Sequence, residues 1–179
     1  MQETLWEDLL FSKVIRTRKG LLWKHVLWGL LLKPSFACVF WYRVNRWIYL
    51  HKFPNIIVTI LSVWRFYRFG NDISYRAEIG AGFMVGHVHG IVIGGNTTIG
   101  RRCLVRHNVT IGAANNESRA MPHLGDDIEI GAQTVVIGNI SIGDRSKLGT
   151  MSLITSDIES DTLAYGIPPN LTKRKLVTS

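Results

Sequence analysis

Residues 129–149 read EIGAQTVVIGNISIGDRSKLG, and an aliphatic side chain returns in them every six positions, at Ile130, Val136, Ile142 and Leu148. Six is neither the 3.6-residue period of a helix nor the two-residue alternation of a strand in an ordinary sheet. It is the period of a repeat architecture in which each hexad forms one flat face of a coil. The beat runs on to Ile154 and back to Leu124, and it reappears upstream at Ile111, Val105, Ile99 and Ile93. A two-residue slip separates Ile93 from Val85, Ile79 and Ile73, and a longer break separates Ile111 from Leu124. Hairpins with glycine turns would place the apolar residues two apart, not six. Three hexads close a triangular coil, so these anchors stack into a continuous core of about four coils. Glycine follows most anchors, as at Gly80, Gly86, Gly94, Gly100, Gly131, Gly143 and Gly149. The expectation is that it supplies an unusual φ at each sharp corner.

The 179 residues, 46% hydrophobic, suit one compact domain with an appendage. The predicted organisation is an N-terminal helical segment at 1–70, a coil domain at 71–165 and a basic tail at 166–179. Cys38 and Cys103 have neither metal nor disulfide spacing, so both read as packing residues in a reducing, cytosolic compartment. The first residues, with Glu3, Glu7 and Asp8, lack the basic-then-apolar layout of a signal peptide.

Charge is placed unevenly. Residues 1–70 hold eleven Lys/Arg against three Asp/Glu, which accounts for the whole formal +8, and all six tryptophans lie there. Helices are predicted at about 21–32, at about 36–51 with Ser35 as cap, and after Pro54. In the second, Phe36, Phe40, Val44, Trp47 and Ile48 share one face while Arg43 and Arg46 lie off it. No apolar run reaches the ~18–20 residues of a spanning helix. Basic residues interleaved with Trp, Phe and Leu fit a segment lying on an anionic membrane surface, here the inner face of the cell membrane. The competing reading is packing on the coil domain or on another subunit. No nucleic-acid recognition motif is present.

Faces of such a prism are flat, so chemistry belongs in the groove between neighbouring subunits. Four of the six histidines, His87, His89, His107 and His123, fall in the coil domain. The stretch 72–94, DISYRAEIGAGFMVGHVHGIVIG, with the hexads and the C-terminal GIPPNLTKRK, resembles the hexapeptide-repeat acetyltransferases, most of all the serine acetyltransferase-like branch. The resemblance covers about residues 71–175. It implies a left-handed parallel β-helix, a homotrimer, acetyl-CoA as donor and no metal.

By the same resemblance His87 falls on the catalytic histidine and Asp72 on the aspartate that orients it. An imidazole near pKa ~6.5 takes the proton of an attacking hydroxyl and returns it to the departing thiolate. A carboxylate on its far nitrogen fixes the tautomer. The coenzyme pattern falls on Ala132, Thr150, Thr155 and Lys173, the last beside Arg174 and Lys175. His89 lies on the same side of an extended segment as His87. With Arg106, His107, Asn108 and His123 it is a candidate acceptor contact.

Two departures matter. The serine-specific pattern has aspartate before the catalytic histidine and Arg-His-Pro in the long loop. This chain has Gly86, and Ala120-Met121-Pro122. A zwitterionic amino acid would lose both partners, whereas a neutral sugar hydroxyl needs neither. The expectation is therefore O-acetylation of a sugar in a capsular polysaccharide, an exopolysaccharide or a lipid-linked glycan. The alternatives are a serine acetyltransferase, a zinc hydratase resembling the γ-class carbonic anhydrases, and a non-catalytic membrane scaffold.

Overall fold

The computed structural model describes residues 1–13, 21–115 and 120–167, and the backbone of 174–175. Among the described residues four helices come first, α1 (Gln2–Phe11), α2 (Leu22–Leu32), α3 (Pro34–Leu50) and α4 (Asn55–Phe69), and fifteen short strands, β1 to β15 in chain order, then wind into three sheets. The first face stacks β1 (Asp72–Ile73), β4 (Val92–Ile93), β7 (Thr110–Gly112), β10 (Val135–Ile137) and β13 (Leu153–Ile154). The second stacks β2 (Glu78–Ile79), β5 (Thr98–Ile99), β8 (His123–Leu124) and β11 (Ser141–Ile142). The third stacks β3 (Met84–Val85), β6 (Leu104–Val105), β9 (Glu129–Ile130), β12 (Lys147–Leu148) and β14 (Thr162–Ala164). All of these pairs are parallel, as a left-handed β-helix requires. The exception is β15 (Arg174–Lys175), which lies in the basic tail and returns antiparallel to β14.

The hexad anchors form the core: Ile93, Val105, Ile111, Ile130, Val136 and Ile154 are buried. On the first face the register steps are 20 residues (Asp72 to Val92), 18 (to Thr110), 25 (to Val135) and 18 (to Leu153). The slip and the long break therefore fall between strands and leave the ladder intact.

The glycines do a different job from the one expected. Positive φ falls three residues after the anchor, on Asn96, Arg102, Asn108, Asp127, Gln133, Arg145 and Met151, and not on the glycine that follows it. Most of those glycines are needed for closeness, although Gly86 is not. A Cβ on Gly80 would lie 2.6 Å from the Gly100 backbone, and one on Gly131 would lie 2.5 Å from the Thr150 nitrogen. The unusual conformation passes to polar residues, several of which hold the next coil, as in the bidentate Arg102–Asp127 and Arg145–Asp161 pairs at 2.6 Å.

Each coil donates its strand N–H groups to the next, as in Asp72 N to Ile91 O and Gly80 N to Ile99 O. The first coil is thus left with a row of unpaired carbonyls at the open end of the prism. The helices cover it. Tyr42 Oη donates to Ala77 O at 2.7 Å, Arg46 to Ala77 O at 2.7 Å, and Arg65 to Ile73 O at 3.2 Å. Arg43 donates to Ile79 O and Gly80 O and is paired with buried Asp8 of α1. Asp8 in turn accepts from the Gly82 and Phe83 nitrogens.

This corrects the reading of the basic segment. Arg43 and Arg65 are buried and Arg46 is tied down, so three of its cations serve the coil. The expected Ser35 cap is also absent, because α3 starts on Pro34 after Lys33 with no side-chain cap. The N-terminal residues 2–11, for which the sequence predicted no helix, form α1 and pack Leu5 and Leu9 with Leu22, Val26 and Phe36. Gly29 lets the Phe36 ring approach the α2 backbone.

Candidate active site along one edge of the prism

The corner that leads from the third face to the first carries most of the candidate residues. Val85, Val105, Ile130 and Leu148 stack on successive coils. The residues two further on, His87, His107, Ala132 and Thr150, therefore climb a single edge. Backbone bonds fix the ascent: Asn108 N to His89 O at 3.1 Å, Gln133 N to His107 O at 3.0 Å and Met151 N to Ala132 O at 2.9 Å.

The slip supplies the corner 86–91, which three bonds fasten to the end of α4. Gly90 N donates to Gly70 O at 2.7 Å, Asn71 Nδ2 to Val88 O at 2.9 Å, and Asp72 N to Ile91 O at 2.8 Å. Asp72 and His87 thus belong to the same corner, both exposed, with no hydrogen bond between them in this structure. The ring that His87 meets is His107, edge-on with centroids 5.5 Å apart. The Nδ1 of His107 is buried without a partner. The His89 ring lies against Gly70, whose left-handed φ of 63° ends α4.

Arg106 and Asn108 share the corner, one coil further on, Arg106 against Gly86 and Asn108 against Gly90. His123 does not. It stands on the second face with Nδ1 2.7 Å from Thr98 Oγ1, so one chain alone does not bring it to His87. Thr155 lies past β13 at the far corner of the first face, away from Ala132 and Thr150. Lys173 lies outside the described residues.

A shallow groove of about 300 Å³ runs beside Ala132 and Thr150, between Gln133–Val135 and Met151–Leu153, closed at one side by Ile167. Its largely apolar lining suits an extended coenzyme arm. The sequence expectation of Ala132, Thr150, Thr155 and Lys173 did not include Val135, Met151 and Leu153, whose signal was their place one coil apart.

No family model matches the chain. It is 33% identical over 171 residues to a serine acetyltransferase of Synechococcus elongatus, covering 94% of this chain and 67% of that one. Over 137 residues it is 30% identical to the putative colanic acid biosynthesis acetyltransferase WcaB of Escherichia coli K12, covering 76% of this chain and 83% of that one. The crystal structure of Neisseria gonorrhoeae serine acetyltransferase superposes with a TM-score of 0.83 at 30% identity. It matches 98% of this chain.

The chain belongs to the hexapeptide-repeat acetyltransferases.

As a member of that family it is an acyltransferase, and acetyl-CoA is the donor that membership implies. The chain spans 67% of the Synechococcus relative and 66% of the Neisseria chain, about two thirds of each. The family's flat-faced coil explains why the edge, and not a cavity inside the chain, carries the histidines and the groove. Membership also displaces the hydratase and scaffold alternatives.

Proposed function

We propose that this acetyltransferase moves the acetyl group of acetyl-CoA to a hydroxyl of a neutral sugar, in a capsular or exopolysaccharide or a lipid-linked glycan. The observation that carries the choice of acceptor is Gly86, immediately before His87, together with Met121 in the long loop. The serine-specific pattern needs an aspartate and a histidine at these two positions. Space is not what excludes an aspartate, because a Cβ on Gly86 would meet nothing closer than 3.7 Å.

Acetyl-CoA, when bound, supplies the activated acyl group; Ala132 and Thr150 are proposed to hold its arm on this edge, with Lys173 beyond them, while Thr155, at the far corner, would reach a coenzyme only as the residue of a neighbouring chain. From His87 to Thr150 the edge climbs three coil steps, about 14 Å at ~4.8 Å each, a run suited to an extended arm that delivers its thioester to His87. His87 takes the proton of the acceptor hydroxyl as that oxygen attacks the acetyl carbonyl. It returns the proton to the sulfur as the C–S bond breaks, so it ends as it began. Asp72 orients the ring and stabilises the imidazolium. His89, Arg106, His107 and Asn108 line the approach of the acceptor.

In a homotrimer the edge of one chain would face the second face of its neighbour and bring a partner's His123 within reach. Exposed Val92, Met151 and Tyr165 near this edge suit such burial. Membrane contact rests on two exposed apolar stripes: Trp23, Leu27 and Leu31 on α2, and Ile56, Ile60, Val63 and Tyr67 on α4. Among the described residues no helix is long and apolar enough to cross a membrane.

A second reading, transfer to L-serine, is favoured by the names of most relatives, such as those of Synechococcus and Helicobacter pylori. Thiol release from acetyl-CoA should be followed in parallel with L-serine, nucleotide sugars and de-O-acetylated polysaccharide. Turnover confined to the sugar acceptors is the expected result. Robust turnover on serine overturns the acceptor assignment.

A further inference from the structure

A cavity of about 90 Å³ lies where α4 meets the first coil, lined by Ser62, Arg65, Asn71, Asp72, Ser74 and Tyr75. Arg65 is 2% exposed. Its Nη1 donates to Ile73 O, and its guanidinium lies 5.7 Å from the Tyr42 ring centroid. Its Nε and Nη2 are buried and have no partner. An arginine stays charged in protein interiors, so this buried cation requires a counter-charge.

Three acidic groups lie near enough for their charge to be felt: Cys38, Tyr42 and Asp72. Burial pushes the Cys38 thiol and the Tyr42 phenol up, so both stay neutral. Asp72 is the third of these neighbours and the one carboxyl group among them. Asn71 Oδ1, also buried and unpaired, offers an acceptor without a charge. The other titratable groups around this corner are Tyr75, after β1, and His87 and His89, on the 86–91 corner. The cavity exceeds the ~10–15 Å³ that one water requires, and its walls are polar enough to hold several.

We propose that Arg65 is a positioning residue for acetyl transfer, its unpaired Nε and Nη2 anchoring the Asp72 side chain across this cavity through water. The proposal rests on the reading of Asp72 as the group that orients His87. A helix outside the coil domain would then set the geometry of the base. That gives α4 a share in the chemistry beyond covering carbonyls.

The test uses the full chain and thiol release from acetyl-CoA, with the acceptor that supports turnover. Arg65→Gln is expected to lower kcat about tenfold or more at unchanged acceptor KM. It should also move the acid limb of the kcat/KM profile up by about one pH unit. Arg65→Lys keeps the charge but not the fork; it should hold the acid limb in place and lose about five- to tenfold in kcat. In an Asp72→Asn background Arg65→Gln should add nothing. A folded Arg65→Gln with wild-type kcat and acid limb overturns the proposal, as does a full additional loss in the Asp72→Asn background. If Arg65→Gln does not fold, wild-type kcat in Arg65→Lys overturns it. Undiminished turnover in Asp72→Asn itself would instead strike the assignment of Asp72, and Arg65 would fall with it.

Discussion

At the scale of single residues, Gly86 is where the choice of acceptor is most exposed to test. A side chain there meets no atom closer than 3.7 Å, so Gly86→Asp should fold normally and offer a carboxylate to an ammonium group. Serine turnover is expected to rise about tenfold, the worth of ~1.4 kcal/mol, measured as kcat/KM by thiol release. No rise would show that Gly86 does not decide the acceptor. The cysteines give a second prediction. Cys38 and Cys103 are free and buried, and burial pushes the Cys103 thiol up to about 11. Since the thiolate is the reactive form, neither should react with a chromogenic disulfide reagent at pH 8 until the protein unfolds, when two equivalents should appear. His87 and Asp72 could be nominated from the sequence because a local motif surrounds them. Arg65 could not, because a cation on an amphipathic helix reads as solvated, and only the fold shows that its side chain turns into a cavity.

At the scale of elements, the hexad period made the three sheets legible, since each anchor's burial depends only on its place in the repeat. The corner chemistry was less so: a glycine after most anchors suggests φ, whereas coil-to-coil contact is what demands most of them, and contact with the next coil is invisible in one hexad. The helical segment was misjudged for a related reason. The open carbonyl row of the first coil needs donors, and Arg43, Arg46, Arg65 and Tyr42 supply them. Asp8 then links α1 to Arg43 and to the backbone of the first coil. Asp8→Ala would leave Arg43 buried without its partner and orphan two N–H groups. A loss of about 3–5 kcal/mol is expected, read as a fall in Tm of roughly 8–15 °C. A change under ~1 kcal/mol, within the range of a surface ion pair, would show that α1 does not secure the coil.

At the scale of the whole molecule, the proposed account has a flat-faced prism work through its edge, with the helices setting where that edge works. With three arginines turned inward, the apolar stripes of α2 and α4 carry the larger share of the proposed membrane contact. Leu31→Asp with Ile60→Asp, both at exposed positions, should leave Tm within a few degrees and abolish sedimentation with anionic vesicles. Retained sedimentation would remove the stripes from the membrane account. The central claim is that acetyl transfer runs on His87, and the most direct measurement is thiol release by purified wild type and His87→Ala at saturating acetyl-CoA and acceptor. The account predicts a 10²–10⁴-fold fall in kcat with the fold retained by circular dichroism. Undiminished kcat in His87→Ala would contradict it.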